Sequence, residues 1–205
     1  MPVFLLIRHA ENDYVRENRL PGRLPDIHLN EAGRQQAQNL ADHLAGFPIK
    51  SIYCSPLERA IESAQPLANT LNLEIIQRQG LIELDIGDWQ GEKLKTLSKL
   101  KLWRTVQGAP SRVHFPGGEW FAEAQHRICL ELDELSSLHD SKDIIACFSH
   151  SDPIKLAVAF HLGLPIDLFQ RITVAPASIT TLLITESGSR LINLNFEISF
   201  TLPKG

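Results

Sequence analysis

Two histidines each follow directly on a run of apolar residues. Residues 5–9 (LLIRH) lie near the start of the chain, and residues 148–150 (FSH) lie late in it. Because ligands gather outside the carboxyl ends of the strands in an open α/β sheet, we expect His9 and His150 to meet there, together with Arg8. A neutral imidazole can attack phosphorus, and a guanidinium matches the geometry of phosphate oxygens. These residue types therefore predict a site for a phosphoryl group.

Arg59 is a second arginine that could reach this site. It stands close to the start of a helix that follows a predicted strand at 51–54, and Ser55 and Glu58 match the pattern of a capping box for that helix. Free backbone N–H groups and the helix macrodipole favour an anion at such a first turn. Since the helix starts directly at a strand end, a phosphate-binding role is favoured over that of an arginine on an exposed helix face.

Five segments resemble, in order along the chain, the motifs of the histidine phosphatase superfamily, the phosphoglycerate-mutase-like proteins. The segments are 8–11 (RHAE), 55–60 (SPLERA), 83–91 (ELDIGDWQG), 116–119 (PGGE) and 149–150 (SH). The match extends from residue 3 to about residue 165. The stretch from residue 103 to residue 119, with residues 167–171, further resembles a bacterial subgroup of phosphatases and phosphomutases.

The resemblance implies a role for each matching residue. His9 would carry the phosphoryl group as a phosphohistidine. Arg8, Arg59 and His150 would bind the phosphoryl oxygens, and His150 is expected to be cationic when an anion is bound. Glu83 would protonate the leaving alcohol and then take a proton from the attacking water. A mechanism of this type is expected to need no metal ion and no cofactor.

Glu83 can act as a general acid near neutral pH if its pKa is raised from about 4.3 toward 6–7. Residues 81–82 (LI) precede it, and Trp89 follows a few positions later. Apolar neighbours of this kind could desolvate the carboxylate and so raise its pKa. Asp85 and Asp88 are competing candidates for the same role.

Four further residues are candidates for substrate binding. Asn18, Arg19 and Gly22 resemble an Asn-Arg-x-x-Gly segment of the family, and Ser151 stands where the family usually has glycine. A group of aromatic residues could line a substrate pocket or pack beneath a covering segment: Trp89, Trp103, Phe115 and Trp120.

The chain also departs from the family pattern around the nucleophile. Ala10 replaces the usual glycine after His9, and Asn12 replaces the usual threonine or serine. Val15 stands where mutases often have an asparagine that contacts phosphate. These departures concern the substrate and the phosphate cradle rather than the reaction.

The stretch between Glu83 and His150 favours hydrolysis over phosphoryl transfer between metabolites. It is shorter than the insertion of true phosphoglycerate mutases and has no basic cluster beyond Lys93 and Lys95. A mutase must keep water from the phosphohistidine while its intermediate reorients, and a short cover favours release to water. A cofactor-dependent phosphoglycerate-mutase-type phosphomutase is the alternative. A non-catalytic module that binds a phosphorylated ligand is less favoured, because both His9 and Glu83 are present.

Length and charge limit the class of protein and its partners. The chain has 205 residues, of which 43% are hydrophobic and 21% charged, with a net charge of −4. We expect a single histidine-phosphatase-like catalytic domain over residues 1–205, with a cap-like insertion over about 88–118. The negative charge argues against nucleic-acid and membrane partners, so the expected partner is a small phosphorylated substrate. The sequence also allows a homodimer.

The histidines and cysteines bear on metals and on the cellular compartment. The eight histidines show no H-x-x-x-H or H-E-x-x-H spacing, which argues against a metal site. Three widely separated cysteines are typical of buried thiols in a reducing compartment. No apolar stretch approaches the ~20 residues needed to span a bilayer, and the apolar start leads straight into Arg8. A cytoplasmic protein is therefore predicted.

Apolar and turn patterns predict strands that alternate with helices. Strands are predicted at 3–7, 51–54, 73–77, 143–148, 179–185 and 190–196. Helices are predicted at 31–45, 56–71, 92–106, 119–138 and 152–163. This alternation predicts an α/β fold, a three-layer αβα sandwich with a mostly parallel central sheet of about six strands and one antiparallel edge strand.

Overall fold

The structure is a computed structural model that describes residues 2–185 and 187–198. Its strands are β1 (Val3–Arg8), β2 (Ile49–Cys54), β3 (Ile75–Gln77), β4 (Ile144–Ser149), β5 (Ile179–Thr185) and β6 (Gly188–Phe196). Its helices are α1 (Asp13–Arg16), α2 (Glu31–Leu44), α3 (Glu58–Leu71), α4 (Leu94–Leu97), α5 (Lys101–Gly108), α6 (Phe121–Ser137) and α7 (Ser151–His161). Short 3₁₀ turns lie at Gln79–Leu81, Gly87–Trp89, Pro110–Arg112 and Ile166–Arg171.

All six strands join one sheet in the order β3-β2-β4-β1-β5-β6. The four strands from β3 to β1 run parallel, β5 pairs antiparallel with β1, and β6 pairs antiparallel with β5. This sheet, mostly parallel with an antiparallel pair at one end, confirms the predicted fold class. Because β1 and β4 are adjacent and parallel, with Arg8 opposite Ser149, the residues that follow them leave the sheet side by side.

Helices cover both faces of the sheet. Successive residues of a strand point to opposite faces. Accordingly, Leu5 and Ile7 of β1 pack with α2 and α3, whereas Phe4 and Leu6 pack with α6 and α7. All four side chains are buried. Burial on both faces explains the unbroken apolar run in the sequence and gives the molecule its three layers.

The helix predicted for 92–106 was wrong, since the structure has the two short helices α4 and α5 there. Leu97 and Val106 are both buried in the same apolar cluster. With about 3.6 residues per turn, one unbroken helix would place these two side chains on opposite faces. The chain turns between them so that both reach the core, and α5 then lies against the 3₁₀ turn Ile166–Arg171. The other predicted elements begin and end within two residues of their observed bounds.

The structure also bears on the cysteines, which were expected to be buried, and on helices that could span a membrane. Cys54, Cys129 and Cys147 are free and buried, which confirms their predicted place in the core. Among the described residues, no helix combines the length and the apolar character that crossing a membrane requires.

Candidate active site

His9 and His150 lie next to each other at the carboxyl ends of β1 and β4. The backbone N–H of His9 donates to the carbonyl of Ser149 at 2.9 Å, which extends the pairing of the two strands by one residue. The ring centroids of the two histidines are 5.1 Å apart in an edge-to-face arrangement. The structure thus brings together the two imidazoles that the sequence placed at strand ends.

The imidazole of His9 is held in one tautomer. Its Nδ1 lies 2.8 Å from the carbonyl oxygen of Ala10, and since a carbonyl can only accept, Nδ1 carries the hydrogen. Burial and the positive charges of Arg59 and Arg8 lower the pKa of His9 well below its usual value. The ring is therefore neutral at physiological pH, with the lone pair of Nε2 available for nucleophilic attack.

Arg8 and Arg59 both lie close enough to His9 and His150 for their charges to lower the pKa of each ring. Nη1 of Arg8 donates to the carbonyl of Val174 at 2.7 Å, and Nη2 of Arg59 donates to the carbonyl of Gly22 at 2.7 Å. Nε of Arg8, and Nε and Nη1 of Arg59, find no partner among the described residues. Burial lowers the pKa of Arg59 to about 10, which leaves it charged at neutral pH. Buried donors without partners cost free energy, and an anion would satisfy them.

His150 adds one more unpartnered nitrogen. Its Nε2 is hydrogen-bonded to the Ser55 hydroxyl at 2.8 Å, while Nδ1 has no hydrogen-bond partner in the described ranges. Burial and then the charge of Arg59 lower the pKa of His150 well below its usual value. The ring is neutral unless an anion beside it reverses that balance, so its cationic form with a bound anion stays a prediction.

Ser55 does not cap α3, and the predicted capping box was wrong. The helix begins at Glu58 with Leu57 at the N-cap position and no side-chain cap. The Ser55 hydroxyl is fully buried and contacts His150. Locally, Ser55 Oγ accepts only from the backbone N–H of Leu57, at 3.4 Å. Its shorter hydrogen bond is to His150, so Ser55 belongs to the candidate site, although the sequence indicated only a helix start.

Glu83 lies beside His150, and the pKa of its carboxyl is raised. Its Oε1 accepts from the backbone N–H of Leu84 at 2.9 Å, and the side chain is 15% exposed. Burial, followed by the negative charge of Asp152, raises the pKa of Glu83 to about 7, against the opposing effect of Arg59 and Arg8. A carboxyl with this pKa is protonated in a large fraction of molecules at neutral pH and can donate a proton.

Asp85 and Asp88, the competing carboxylates, are placed differently. Asp85 accepts from the backbone N–H of Gly87 at 3.0 Å and faces the guanidinium of Arg23 at 3.5 Å. Asp88 is exposed. Asp85 therefore stabilises a turn of the loop, and Asp88 lies on the surface. Neither setting supports the role of general acid expected for Glu83.

The backbone around Glu83 is held by an ion-pair network that the sequence did not predict. Nε of Arg23 donates to the carbonyl of Glu83 at 2.8 Å, and Nη1 of Arg127 donates to the carbonyl of Ile82 at 2.9 Å. Glu119 accepts from both guanidinium groups, at 2.9 and 2.6 Å. The 116–119 motif contained Glu119, but no local pattern singled out its two arginine partners.

A cavity of about 180 Å³ opens beside Glu83. Its lining comes from four parts of the chain: Leu20, Pro21 and Gly22; Glu83, Leu84, Ile86 and Trp89; Trp103, Val106, Gln107, Phe115 and Phe121; and Asp152 and Gln170. Three of the four aromatic residues suggested by the sequence thus face the cavity. Trp120 does not, because it is 40% exposed and packs on His114, while its neighbour Phe121 faces inward.

The four further candidates for substrate binding lie in different settings. Gly22 offers its carbonyl to Arg59 and lines the cavity, and Ser151 opens α7 directly after His150. Nε of Arg19 donates to the carbonyl of Gly91 at 2.9 Å. The carbonyl of Asn18 accepts from a backbone N–H of α4 at 2.8 Å. Asn18 and Arg19 thus brace the segment before α4, and substrate contact by any of the four stays a prediction.

Asn12 has a structural explanation. It is fully buried, and its side chain accepts from the backbone N–H of Val15 at 2.9 Å. It is the N-cap of α1.

In the described part of the chain, no group of three or more histidine, cysteine or acidic side chains is arranged to hold a metal ion.

Comparison with known proteins gives a consistent family assignment. The model of the histidine phosphatase superfamily (branch 1) matches residues 4–197. Phosphoserine phosphatase 1 of Hydrogenobacter thermophilus is 30% identical over 197 residues, which cover 95% of this chain and 92% of that protein. A 2,3-bisphosphoglycerate-dependent phosphoglycerate mutase of Thermoplasma acidophilum is 28% identical over 182 residues, with 89% of this chain and 87% of that protein covered.

The same resemblance extends to solved structures. A mutant phosphoserine phosphatase from Entamoeba histolytica, in complex with phosphoserine, matches with a TM-score of 0.86 and 26% sequence identity. The match covers 95% of this chain and 97% of that chain. The similarity is therefore continuous in both sequence and fold.

Proposed function

This chain belongs to the histidine phosphatase superfamily and is a phosphatase of small phosphorylated metabolites, and we propose that it works through a phosphohistidine formed at His9. One observation carries the proposal. With its Nδ1 bound to the carbonyl of Ala10, His9 lies beside His150, Arg8 and Arg59, whose buried donors have no partner among the residues that the structure describes. Phosphoryl transfer depends mainly on positioning and on positive charge around the phosphoryl oxygens, and this cluster supplies both.

In the first step, Nε2 of His9 attacks phosphorus and the bond to the leaving oxygen breaks. Arg8, Arg59 and His150 bind the non-bridging oxygens, and Glu83 gives its proton to the leaving oxygen, so that an alcohol departs. Donors that stand ready for developing charge lower the barrier without reorganising. The products of this step are the free alcohol and phosphorylated His9, with Glu83 ionised.

In the second step, water attacks the phosphohistidine and the N–P bond breaks. Glu83 takes a proton from the water, which returns the carboxyl to its starting state and releases inorganic phosphate. One group with a pKa of about 7 can give and take a proton in successive steps, because neither protonation state is strongly favoured at neutral pH.

Hydrolysis is better supported than phosphoryl transfer between metabolites. A phosphoglycerate mutase must bind a substrate that carries a carboxylate and a second phosphate. No arginine or lysine lines the cavity beside Glu83 in the part of the chain that the structure describes. A phosphomutase is therefore the weaker candidate, although one relative has that name. A module that only binds phosphorylated ligands would not require a carboxyl with the raised pKa of Glu83.

Further aspects of the proposal concern conditions and architecture. We propose that the reaction needs no metal ion, since Arg8, Arg59 and His150 supply the charge that a metal would. Residues 88–118, with α4 and α5, act as a cap that covers the leaving group.

The buried thiols suit a reducing compartment, and the proposed location is the cytoplasm. A homodimer is compatible with these proposals.

The test is release of inorganic phosphate from a broad panel of phosphomonoesters, with a chelator present. Mutase assays with a bisphosphate primer run in parallel, and rapid acid-free quenching followed by mass spectrometry locates the phosphorylated residue. We expect hydrolysis with the chelator and a phosphoryl group on His9. Complete loss of activity on chelation, or mutase turnover that exceeds hydrolysis, would contradict the proposal.

A further inference from the structure

The cavity beside Glu83 determines which alcohols can leave, and the following inference rests on the proposed function. Glu83 lines this cavity and protonates the leaving oxygen. The part of the substrate beyond that oxygen must therefore lie in the cavity. Its walls can be compared with the chemistry of candidate leaving groups.

Most of the lining residues are apolar, and four of the fourteen are aromatic. Trp89 and Trp103 are stacked, with ring centroids 6.0 Å apart and planes inclined by 27°. Phe115 meets Trp89 edge to face at 5.2 Å and Phe121 at 5.2 Å. Because Trp89, Phe115 and Phe121 are themselves buried, the rings support one another and present a fixed surface. Surfaces of this kind favour flat apolar groups.

The charged groups at the cavity are carboxylates. Glu83 and Asp152 both line it, whereas its other lining side chains that can form hydrogen bonds are neutral: the amides of Gln107 and Gln170 and the indoles of Trp89 and Trp103. Among the described lining residues there is no arginine and no lysine. The cavity thus offers hydrogen bonds, while among its described lining residues no cation is present to receive an anionic substituent.

Lys155 lies near the cavity but does not supply it with a free positive charge. Its Nζ donates to Oδ1 of Asp152 and to Oε1 of Gln170, at 2.8 Å each. It also lies 4.8 Å from the ring centroid of Phe169, and the residue is buried. Its charge is therefore used within the protein, where it holds Asp152 and Gln170 in place along the cavity.

Size narrows the class further. An enclosed apolar cavity of roughly 150 Å³ holds one benzene molecule, and this cavity, which opens to solvent, has room for about 180 Å³. We infer that the enzyme selects phosphomonoesters whose leaving alcohol has a flat, apolar group of about one six-membered ring next to the ester oxygen and bears no negative charge there. Phosphoserine and phosphoglycerates, which carry a carboxylate close to the phosphate, are then poor substrates.

The test compares esters that differ in charge but not in shape. The matched pair is 4-carbamoylphenyl phosphate, which is neutral on the ring, and 4-carboxyphenyl phosphate, which carries a carboxylate in the same place. Benzyl phosphate, phosphoserine and 3-phosphoglycerate extend the series to alkyl leaving groups. We expect kcat/KM to be at least about tenfold higher for each uncharged ester, because a buried, unpaired charge is costly. Equal or higher kcat/KM for the carboxylated esters would overturn the inference.

Two variants locate the origin of the preference. Asp152→Asn should raise kcat/KM for 4-carboxyphenyl phosphate relative to its carbamoyl partner, since a repelling charge is removed. Trp103→Ala should lower kcat/KM for benzyl phosphate, while Trp120→Ala, a tryptophan outside the cavity, should not. An unchanged charge preference in Asp152→Asn, or equal effects of both tryptophan variants, would count against the cavity as the determinant.

The outcomes also separate this inference from the proposed mechanism. If carboxylated esters phosphorylate His9 faster than neutral ones, the inference on substrate class fails and the proposed mechanism stands. If none of the esters phosphorylates His9, the proposed mechanism itself fails.

Discussion

Oε2 of Glu83 lies 3.8 Å from Nδ1 of His150, too far for a hydrogen bond. Nε2 of the same ring is paired with the Ser55 hydroxyl at 2.8 Å. If that hydroxyl donates to Nε2, the neutral ring carries its hydrogen on Nδ1, on the side of Glu83. A phosphoryl oxygen can then receive this hydrogen without displacing an existing bond. The proposed proton donor, Glu83, and the residue proposed to bind the phosphoryl oxygens, His150, are therefore neighbours whose proposed functions do not compete.

Replacement of His9 by alanine should abolish turnover, because it removes the imidazole that is proposed to form the covalent intermediate. We expect phosphate release to fall by at least about 10³-fold and phosphohistidine to disappear from the mass spectrum. His126→Ala, which changes an exposed histidine on α6, serves as the matched control and should retain normal activity. Normal phosphate release by His9→Ala would exclude the proposed intermediate.

Glu83→Gln should slow hydrolysis by about 10²–10⁴-fold for alkyl phosphates, because the leaving alkoxide then lacks a proton donor. Aryl phosphates with good leaving groups should be affected much less. For the unmodified enzyme, kcat for alkyl phosphates should fall as pH rises above about 7, where Glu83 ionises. A series of esters with graded leaving-group pKa measures this, and equal losses across the series would argue against Glu83 as the acid.

The raised pKa of Glu83 should also appear in stability. Between about pH 4.5 and pH 7 the folded chain holds a proton that the unfolded chain has released, so folding becomes less favourable as pH rises. The difference in the free energy of unfolding amounts to about 3 kcal/mol. Urea unfolding of the unmodified protein and of Glu83→Gln at pH 5 and pH 8 tests this. The variant should be relatively more stable at pH 8, and a parallel pH dependence of both proteins would refute the assigned pKa.

Asp152→Asn should move the alkaline limb of the pH–kcat profile to lower pH. The negative charge of Asp152 is the second contribution, after burial, that raises the pKa of Glu83. Without it, Glu83 loses its proton at lower pH. The profile is measured with benzyl phosphate, and Asp88→Asn, at an exposed carboxylate, is the control. A limb that stays in place, or moves to higher pH, would contradict the electrostatic link.

Glu119→Gln tests whether the ion-pair network acts as a positioning device for Glu83. Glu119 joins Arg23 and Arg127, which hold the carbonyls of Glu83 and Ile82. We expect kcat for alkyl phosphates to fall about tenfold with KM nearly unchanged, and activity on good aryl leaving groups to be largely retained. Equal losses for both ester classes would indicate a merely structural role.

The parts of the fold and site that the sequence predicted are those set by local patterns. The apolar runs before His9 and His150 identified two buried strands, and parallel pairing then placed both rings at one edge of the sheet. The bounds of the other helices and strands followed from caps and periodicity, except at the start of α3 and in the helix predicted for 92–106. Glu83 was predicted from its place in the family motif at residues 83–91, because a lone glutamate in a loop carries no such signal.

The parts that were missed depend on contacts between distant segments. Ser55 and Glu58 satisfied a local capping pattern, yet His150, far along the chain, takes the Ser55 hydroxyl. Asp152 looked like the first turn of a helix, and nothing in its neighbourhood indicated that it would affect Glu83. The break between α4 and α5 arises because Leu97 and Val106 must reach the same core. Such competition between local and tertiary contacts is settled by packing.

One wall of the cavity comes from a segment that does not contribute to the proposed phosphate-binding cluster. Arg8 and His9 sit at the end of a buried strand, whereas Trp103, Val106 and Gln107 belong to the short helix α5. Changes in α5 can therefore redirect the enzyme to new alcohols while the chemical step stays intact. A mutant library confined to these three positions, selected on one unfamiliar ester after another, would be a practical route to tailored phosphatases. The same separation offers natural lineages a way to diversify.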